Sequence, residues 1–415
     1  MTSVANFDVA TDLKVEMYLP YEADNLFIIG ISNIGDTDVL GAYTSFVIGT
    51  SLIGGVDLLT DAITPGFAWQ PFEAITSSAQ IKVGGRIQSS LYFQPEPGTA
   101  SLVMQSFDYD PNVNKSVRPG TRIRIRVEKS AVNKTLFSGF IDTISVNYGS
   151  EGWNTLNISA TDIWKRIANA RVASYNTTGF HGGNHATPLE AITTAVTAAG
   201  YSMSASSLPL NHKMPTESKT DVIINQVIND ALQTGLGLAW VDQETTQVVV
   251  IPRPTLDTIP AGTWTIGNNH GDAYHLCMSA IETSADGDMT FNSLRVANKN
   301  NSAEYVVKKD QDSIDLYGIL ALDVSINTTP DGQLTKWADE VFAQSPTELV
   351  KSIQTPAINR TGTLTDAAFF TPGTAVGVKY TKTPLAINHY YTIAKVSHSI
   401  TPDQWFTNLE LWKEF

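Results

Sequence analysis

The chain has 415 residues, which is too long for one ordinary hydrophobic core and predicts roughly two to four domains. It carries 27 Lys and Arg against 41 Asp and Glu, a formal net charge of −14, which excludes general attraction to nucleic acid through the overall field. The single cysteine, Cys277, excludes an internal disulfide framework and indicates a chain made in a reducing cytoplasm. We expect Cys277 to be a small buried hydrophobic residue.

Residues 1–80 contain short strand-like runs between turn signals, and we interpret them as a β-rich N-terminal extension. We expect no secretion signal, because the first residues lack a basic region and an apolar region. The uncharged run 39–56 is long enough to test as a membrane span, but its repeated Gly, Thr and Ser favour two buried strands joined by a turn.

Residues 81–172 form the first predicted β-barrel domain, because successive strand-like runs are separated by Pro, Gly and Asn. The clearest run is RIRIRV at 122–127, where three arginines alternate with Ile and Val. This period places the guanidinium groups on one face of a strand and the aliphatic side chains on the other, core-facing one. A short helix is predicted over 160–172.

Residues 173–260 differ in pattern and predict an α+β insert of two helices and a hairpin. The second helix has one apolar face and is expected to end at Gly235, and the hairpin covers 236–252. The first helix carries a cap, a first-turn proline, a capping-box glutamate and a terminal glycine, at Thr187, Pro188, Glu190 and Gly200.

Residues 261–415 form the second predicted β-barrel domain, with one helix at 334–344, and they repeat features of the first. In both domains a Pro-Gly-Thr turn precedes an alternating strand, and the next strand leads to Trp-x-Thr, at an offset of about 252 residues. Two interpretations are open. Unrelated antiparallel barrels also share such turns. Alternatively, the chain contains a duplicated barrel, and a trimer would then have six similar barrels. The matched residues are Pro119, Gly120, Thr121 and Trp153, and Pro372, Gly373, Thr374 and Trp405.

Motifs for catalysis or metal binding are weak. There is no Gly-x-Ser-x-Gly elbow, no phosphate loop and no dinucleotide fingerprint. His181 and His185 flank two glycines and Asn and are interpreted as a loop, 108–112 as an Asp-Pro turn, and Asp286 and Asp288 as a hairpin tip. We expect no cofactor, no metal and no enzyme activity. The separation between two carboxylates, on which sugar hydrolysis depends, is a property of the fold and is not given by the sequence.

The sequence resembles the hub proteins of long-tailed bacteriophage tails and baseplates and of related contractile injection systems. The resemblance rests on PGTASLVMQSFDYDPN, VRPGTRIRIRVEK, LFSGFIDTISV and WNTLNISATD, on VINDALQTGLGLAWVDQETTQVVVIP, and on DQDSIDLYGILALDVS and YYTIAKVSHSITPDQWFTNLEL. It covers roughly residues 81–415, and the preceding stretch is longer than the family pattern.

The resemblance implies a homotrimer whose paired barrels form a pseudo-hexameric ring, adapting the six-fold tail tube to a three-fold tip. Distal tail or tube proteins would lie above it and a central fibre or spike below. The channel would hold tape measure protein and then genomic DNA, in a virion assembled in the host cytoplasm. Two alternatives are a receptor-binding tail protein that grips glycan and a tail-associated cell-wall hydrolase.

In such a ring, Arg122, Arg124 and Arg126 are candidates for a subunit or tube interface, where they would pair with carboxylates of a neighbouring surface. The alternative is a solvated strand face balanced by cross-strand acids such as Asp142. The counterparts after Pro372 are Ala375, Gly377 and Lys379, so the two strands differ in charge.

Overall fold

A computed structural model of the chain describes its fold. Among the described residues the structure is mainly β with six α-helices, which confirms the predicted mainly β class. No described helix is long and apolar enough to cross a membrane, and the run 39–56 lies outside the described residues. The described ranges are 7–20, 67–71, 75–88, 92–106, 109–129, 132–149, 154–204, 212–252, 262–268, 274–284, 291–330, 332–342, 349–381 and 386–413.

The first part of the chain contributes eight strands and two short helices. The segment before residue 81 joins the same sheet as the arginine-containing strand at 122–129. Its strand at 13–20 pairs with that strand from Leu13↔Val127 to Met17↔Ile123. The elements are α1 (Val9–Asp12), β1 (Leu13–Pro20), β2 (Phe67–Pro71), β3 (Ile75–Gln88), β4 (Tyr92–Pro95), β5 (Thr99–Gln105), β6 (Arg122–Lys129), β7 (Val132–Tyr148), β8 (Asn154–Thr161) and α2 (Ile163–Asn169).

The middle part has two helices, a hairpin and two further strands. The first helix begins and ends where the sequence indicates and the second ends at Gly235 as predicted, but the predicted start of the second helix at Asp221 is wrong, because residues 221–223 end a strand and the helix begins at Ile224. Thr187 and Glu190 form the capping box, with Glu190 N–H donating to Thr187 Oγ1 at 3.2 Å and Thr187 N–H to Glu190 Oε2 at 2.7 Å. The elements are β9 (Arg171–Asn176), α3 (Pro188–Ala198), β10 (Ser218–Ile223), α4 (Ile224–Gly235), β11 (Gly237–Val241) and β12 (Val248–Pro252).

The last part holds ten strands and two helices, one more helix than the sequence pattern predicts. The extra helix is short and has no buried residue, so it lacks the apolar period on which the prediction depends. The elements are β13 (Thr265–Gly267), β14 (His275–Cys277), β15 (Ala280–Ser284), β16 (Ser293–Asn298), β17 (Asn301–Lys309), α5 (Gln311–Tyr317), β18 (Ala321–Ile326), α6 (Gln333–Phe342), β19 (Leu349–Pro356), β20 (Ala375–Tyr380), β21 (Ile387–Ile400) and β22 (Trp405–Lys413).

Five strands in each half of the chain share one topology. The first unit has the order β3-β5-β8-β7-β6, the second has β15-β19-β22-β21-β20, and every neighbouring pair is antiparallel. The chain visits the matched strands in the same sequence in both units. Neither unit closes into a barrel through any pairing among the described strands.

The two units join in one sheet, because β3 of the first unit pairs antiparallel with β21 of the second. The core of the first unit continues across this junction to Ile400 and Trp405. A separate core lies under α3 and α4, and a third one packs α6 on the small sheet β17-β16-β18. That small sheet is tied to α4, since Trp337 Nε1 donates to Gln233 O at 2.9 Å.

Two matched glycines, Gly120 and Gly373, have positive φ angles of 92° and 80° in the Pro-Gly-Thr turns. Their surroundings differ. A Cβ atom on Gly120 would meet nothing within 4 Å, whereas one on Gly373 would lie 2.6 Å from the Trp240 ring and 2.8 Å from Ile251. The second turn therefore packs against the β11–β12 hairpin, while the first is open.

We expect Gly373→Ala to lower the free energy of unfolding by about 2 to 4 kcal/mol, because backbone strain and overpacking against Trp240 add. Gly120→Ala is the matched control and should cost only about 1 kcal/mol, from strain alone. Urea unfolding followed by circular dichroism measures both values. Equal losses for the two variants would contradict this packing account.

Candidate interface

The two Pro-Gly-Thr turns make the same backbone hydrogen bonds, the first to β7 and the second to β21. In the first unit Gly120 N–H donates to Ile141 O at 2.7 Å, and Ile141 N–H donates to Thr121 O at 2.9 Å. The second unit repeats both bonds, at 2.8 and 2.9 Å, among Gly373, Ile393 and Thr374. The register of β7 with β8 and of β21 with β22 then shifts at Ile141 and at Ile393. The turns and the irregularities beside them are therefore equivalent.

The strand register gives Trp405 a different counterpart in the first unit from the one that the sequence pattern indicates. Trp405 lies opposite Ile400, and the equivalent pair in the first unit is Asn154 opposite Tyr148. The sequence comparison matches Trp405 to Trp153 instead, one residue earlier. Trp153 itself lies outside the described residues.

Trp405 belongs to a buried polar cluster in the second unit. Its Nε1–H donates to His398 Nδ1 at 3.2 Å, and Thr407 Oγ1 lies 3.1 Å from the same nitrogen. Complete burial lowers the pKa of His398 to about 4, so the ring is neutral at pH 7. The equivalent first-unit positions are Val146, Asn154 and Leu156, which form no such cluster.

The arginine strand β6 has the predicted two-sided character. Ile123, Ile125 and Val127 are fully buried in the first core, while the three arginines share the opposite face. Arg122 is exposed, and Arg124 and Arg126 are partly buried. Their assignment to a subunit or tube interface stays a prediction.

One buried acid serves two of the arginines. Glu16, on the neighbouring strand β1, accepts from Arg124 Nε and lies 3.2 Å from Arg126 Nη1. Only 10% of the Glu16 side chain is exposed. Asp142 does not balance these arginines, since it pairs with Lys165 at 2.8 Å on another part of the surface. Sequence reasoning missed Glu16 because it lies more than a hundred residues from the arginines in the chain.

Aromatic rings complete the arginine face. The Arg124 guanidinium lies 4.2 Å from the centre of the Trp69 ring, and Arg122 lies 5.5 Å from both the Trp69 and the Tyr18 rings. No acidic partner of Arg122 lies among the described residues. Arg122 is therefore held by rings in a position where its donors remain open to a carboxylate.

A polar cavity of about 360 Å³ lies over this face, between β6, β7 and the β11–β12 turn. Gln243 and Glu244 of that turn reach across it to the backbone of β7. Ser138 N–H donates to Gln243 Oε1 at 2.9 Å, and Thr135 N–H donates to Glu244 Oε2 at 2.8 Å. The insert is thus fixed on the first unit at the edge of the arginine face.

Asp162 lies behind this contact and was not singled out by the sequence. It caps α2 by accepting from Trp164 N–H at 2.9 Å, and Gln243 Nε2 lies 3.3 Å from its other oxygen. Burial raises the pKa of Asp162 to about 7. The junction between the first unit and the insert therefore contains a carboxyl group that is partly protonated at neutral pH.

The other sequence candidates are separate from this face. His181 and His185 lie in a non-helical loop with their rings stacked 4.3 Å apart, and no group of three metal-ligating side chains occurs among the described residues. Asp110 accepts from Asn112 N–H at 2.8 Å, which confirms the predicted turn. Asp286 and Asp288 lie outside the described residues.

The expectation that Cys277 is buried is wrong. Cys277 is exposed, because it ends the short edge strand β14 and alternates with Leu276, which takes the core-facing position. A composition-based preference for burial does not account for which side of an edge strand a residue faces.

A second cavity, of about 820 Å³, contains carboxylates that have cationic partners. It is lined by parts of β9, β10 and α4. Its ion pairs are Asp221 with Arg171 at 2.6 Å, Glu217 with Lys219 at 2.7 Å and Asp230 with Lys299 at 2.7 Å.

Solved structures have a fold similar to that of this chain. One is the tail protein from Neisseria meningitidis MC58, with a TM-score of 0.57 and 15% identity over 84% of this chain and 94% of that one. Another is the prophage MuSo2 43 kDa tail protein from Shewanella oneidensis, with a TM-score of 0.53 and 11% identity over 83% of this chain and 95% of that one.

In sequence, no family model and no curated protein matches this chain. At the low identities of the structural matches, the likeness concerns the fold. The resemblance to phage tail proteins that the sequence indicates is confirmed at that level.

We expect Glu16→Gln to destabilise the protein by about 2 to 3 kcal/mol, because it leaves Arg124 and Arg126 without their shared counter-charge. The matched control is Glu128→Gln, since Glu128 lies 4.0 Å from Arg126 and its side chain is 53% exposed. The control should change stability by less than about 1 kcal/mol. Denaturant unfolding measures both, and an unchanged midpoint for Glu16→Gln would contradict the assignment.

We expect the free energy of unfolding to fall by about 3 kcal/mol as the pH is lowered from 6.5 to 4, because of the lowered pKa of His398. The sign follows from its lowered pKa: the unfolded chain binds a proton below pH 6.5, and the folded chain does so only near pH 4. His398→Asn should remove this part of the pH dependence, whatever its cost at pH 7. The exposed His389, changed to Asn, is the control, and an unaltered pH slope in His398→Asn would refute the assignment.

Proposed function

We propose that this chain is a structural, non-enzymatic subunit of a bacteriophage tail hub. Three copies form a ring of six similar β units, which adapts the six-fold tail tube to a three-fold tail tip. Distal tail or tube proteins bind above the ring, and a central fibre or spike binds below. The ring lines the channel for tape measure protein and genomic DNA in the virion.

The observation that carries this proposal is the duplicated five-strand unit. The units share strand order, pairing direction and the hydrogen bonds of the Pro-Gly-Thr turns, and β3 and β21 join them in one sheet. A chain with two similar units placed side by side gives a trimer six similar positions. The fold likeness to two tail proteins supports the same conclusion.

The charge of the chain fits a channel through which DNA passes without being held. With a net charge of −14, the ring repels phosphate over most of its surface. We place the arginine face at a contact with a neighbouring protein, where Arg122 donates to a carboxylate and Arg124 and Arg126 stay anchored on Glu16.

A glycan-binding tail protein is the second candidate, and one observation favours it. Tyr317 is 74% exposed at the end of α5, beside the exposed side chains of Leu316 and Ile319. Aromatic side chains on exposed segments are where a sugar ring would stack. Specific binding to host-surface glycan that is lost in Tyr317→Ala would favour this candidate over the hub.

Light scattering of the purified chain over a concentration series tests the proposed hub. We expect a species near three times 45.0 kDa, about 135 kDa, and ring-shaped particles with six lobes in negative-stain electron microscopy. Higher salt should lower the mass if the arginine face is part of the contact, and Arg122→Ala should do so at low salt. A 45.0 kDa species at every concentration, or a particle with two-fold symmetry, would overturn the proposal.

A further inference from the structure

The junction between the two units of one chain is a strand pairing with a defined register. β3 lies along the second half of β21, from Ala79↔Ile400 through Ile81↔His398 to Gly84↔Lys395. β22 pairs with one edge of β21. On the other edge, β20 pairs with the first half of β21 and β3 pairs with the second half. Alternate side chains of β21 beside β3 are buried, with 2% exposure for Val396 and 1% for Ile400.

The strand of the first unit that matches β21 is β7, and its equivalent edge has no partner strand within the described part of the chain. β6 pairs with β7 only up to Phe140, and β8 occupies the opposite edge as far as Tyr148. No described strand covers the remaining edge, from Thr143 to Tyr148. Ile144 and Val146, the equivalents of the buried Val396 and His398, are only partly buried.

Tyr148 ends this edge and is 59% exposed, whereas its equivalent, Ile400, is buried. Its O–H donates to the Asp110 carboxylate at 2.6 Å, which holds the ring at the end of the strand. The edge is therefore fixed in place and bears apolar side chains that lack the cover their counterparts have.

The strand of the second unit that matches β3 is β15. It pairs with β19 as β3 pairs with β5, and no described strand lies along its other edge. Glu282 and Thr283 are exposed on it. Among the described strands, each unit therefore has one half of a β3–β21 type of junction without a partner: the β15 edge in the second unit and the β7 edge in the first.

We propose that β15 of one copy of this chain pairs antiparallel with the free edge of β7 of the next copy. The register follows from the junction within the chain as far as the irregularity after Glu282: Ile281 lies opposite Tyr148, and Glu282 lies opposite Asn147. The occupant is a second copy because β15 of this chain is the strand equivalent to β3. The contact is head-to-tail, so it repeats from copy to copy. That it closes after three copies rests on the proposed function.

Disulfide trapping tests the pairing in the full chain with Cys277→Ser as background, since Cys277 is exposed. Glu282→Cys combined with Asn147→Cys places two thiols on directly opposed residues, whose Cα atoms are about 4.5 to 5.5 Å apart in a strand pair. The matched control combines Glu282→Cys with Lys134→Cys, an exposed position about 40 Å away along β7.

We expect mild oxidation of the double variant to give disulfide-linked species of two and three chains, which disappear on reduction. The control pair and each single cysteine variant should stay unlinked, because a head-to-tail contact does not bring two identical residues together. A disulfide that forms within one chain would overturn the proposal, since it would show that the two edges meet in the monomer.

The same samples separate this inference from the proposed function. If light scattering shows three chains but the double variant forms no disulfide, the strand junction is wrong and the hub proposal stands. If the chain is a monomer at every concentration and forms no disulfide, both fail.

Discussion

The antiparallel pairing of β3 with β21 is the interaction on which the rest of the structure depends. β3 pairs with β5 on one edge and with β21 on the other, so it belongs to both units at once. Six residue pairs make the second contact, and the buried side chains Ala79 and Ile81 of β3 join the core that continues to Trp405. The two units therefore cannot change their relative position without breaking a continuous ladder and exposing apolar surface.

The units differ where each one meets other parts of the chain. In the first unit, the antiparallel strands β1 and β2 flank β6 and supply Glu16 and Trp69 to the arginine face. In the second unit, the parallel strand β13 flanks β20. A Cβ atom on Gly377 would lie 3.0 Å from the Tyr390 ring of β21 and 3.2 Å from Thr265 Oγ1 of β13, so this position is crowded on both sides. The matched strands thus differ in their neighbours as well as in charge, while the shared topology is kept.

Patterns that lie within one element could be predicted from the sequence, and contacts between distant elements could not. The alternation of β6, the capping box of α3 and the end of α4 at Gly235 depend on neighbouring residues, and the structure has them. The link from Glu16 to the arginines has no local signal, because it depends on β1 pairing with β6. The match of β15 with β3 is hidden by the small sheet that separates β15 from β19. The match of Trp405 with Trp153 differs by one residue from the strand register, because five residues separate Tyr148 from Asn154 whereas four separate Ile400 from Trp405.

Duplication and insertion explain how one chain can present two symmetries. The five-strand units occur twice per chain, so three chains carry six of them, and these can meet a six-fold neighbour. The segment from β9 to β12 and the small sheet β17-β16-β18 occur once per chain, so three chains carry only three of each. The two insertions also contact each other, through Trp337 to Gln233 and through Thr234 to Asn327. They therefore form one body on each chain, and in the proposed trimer that body would supply a three-fold surface to the ring of six similar units.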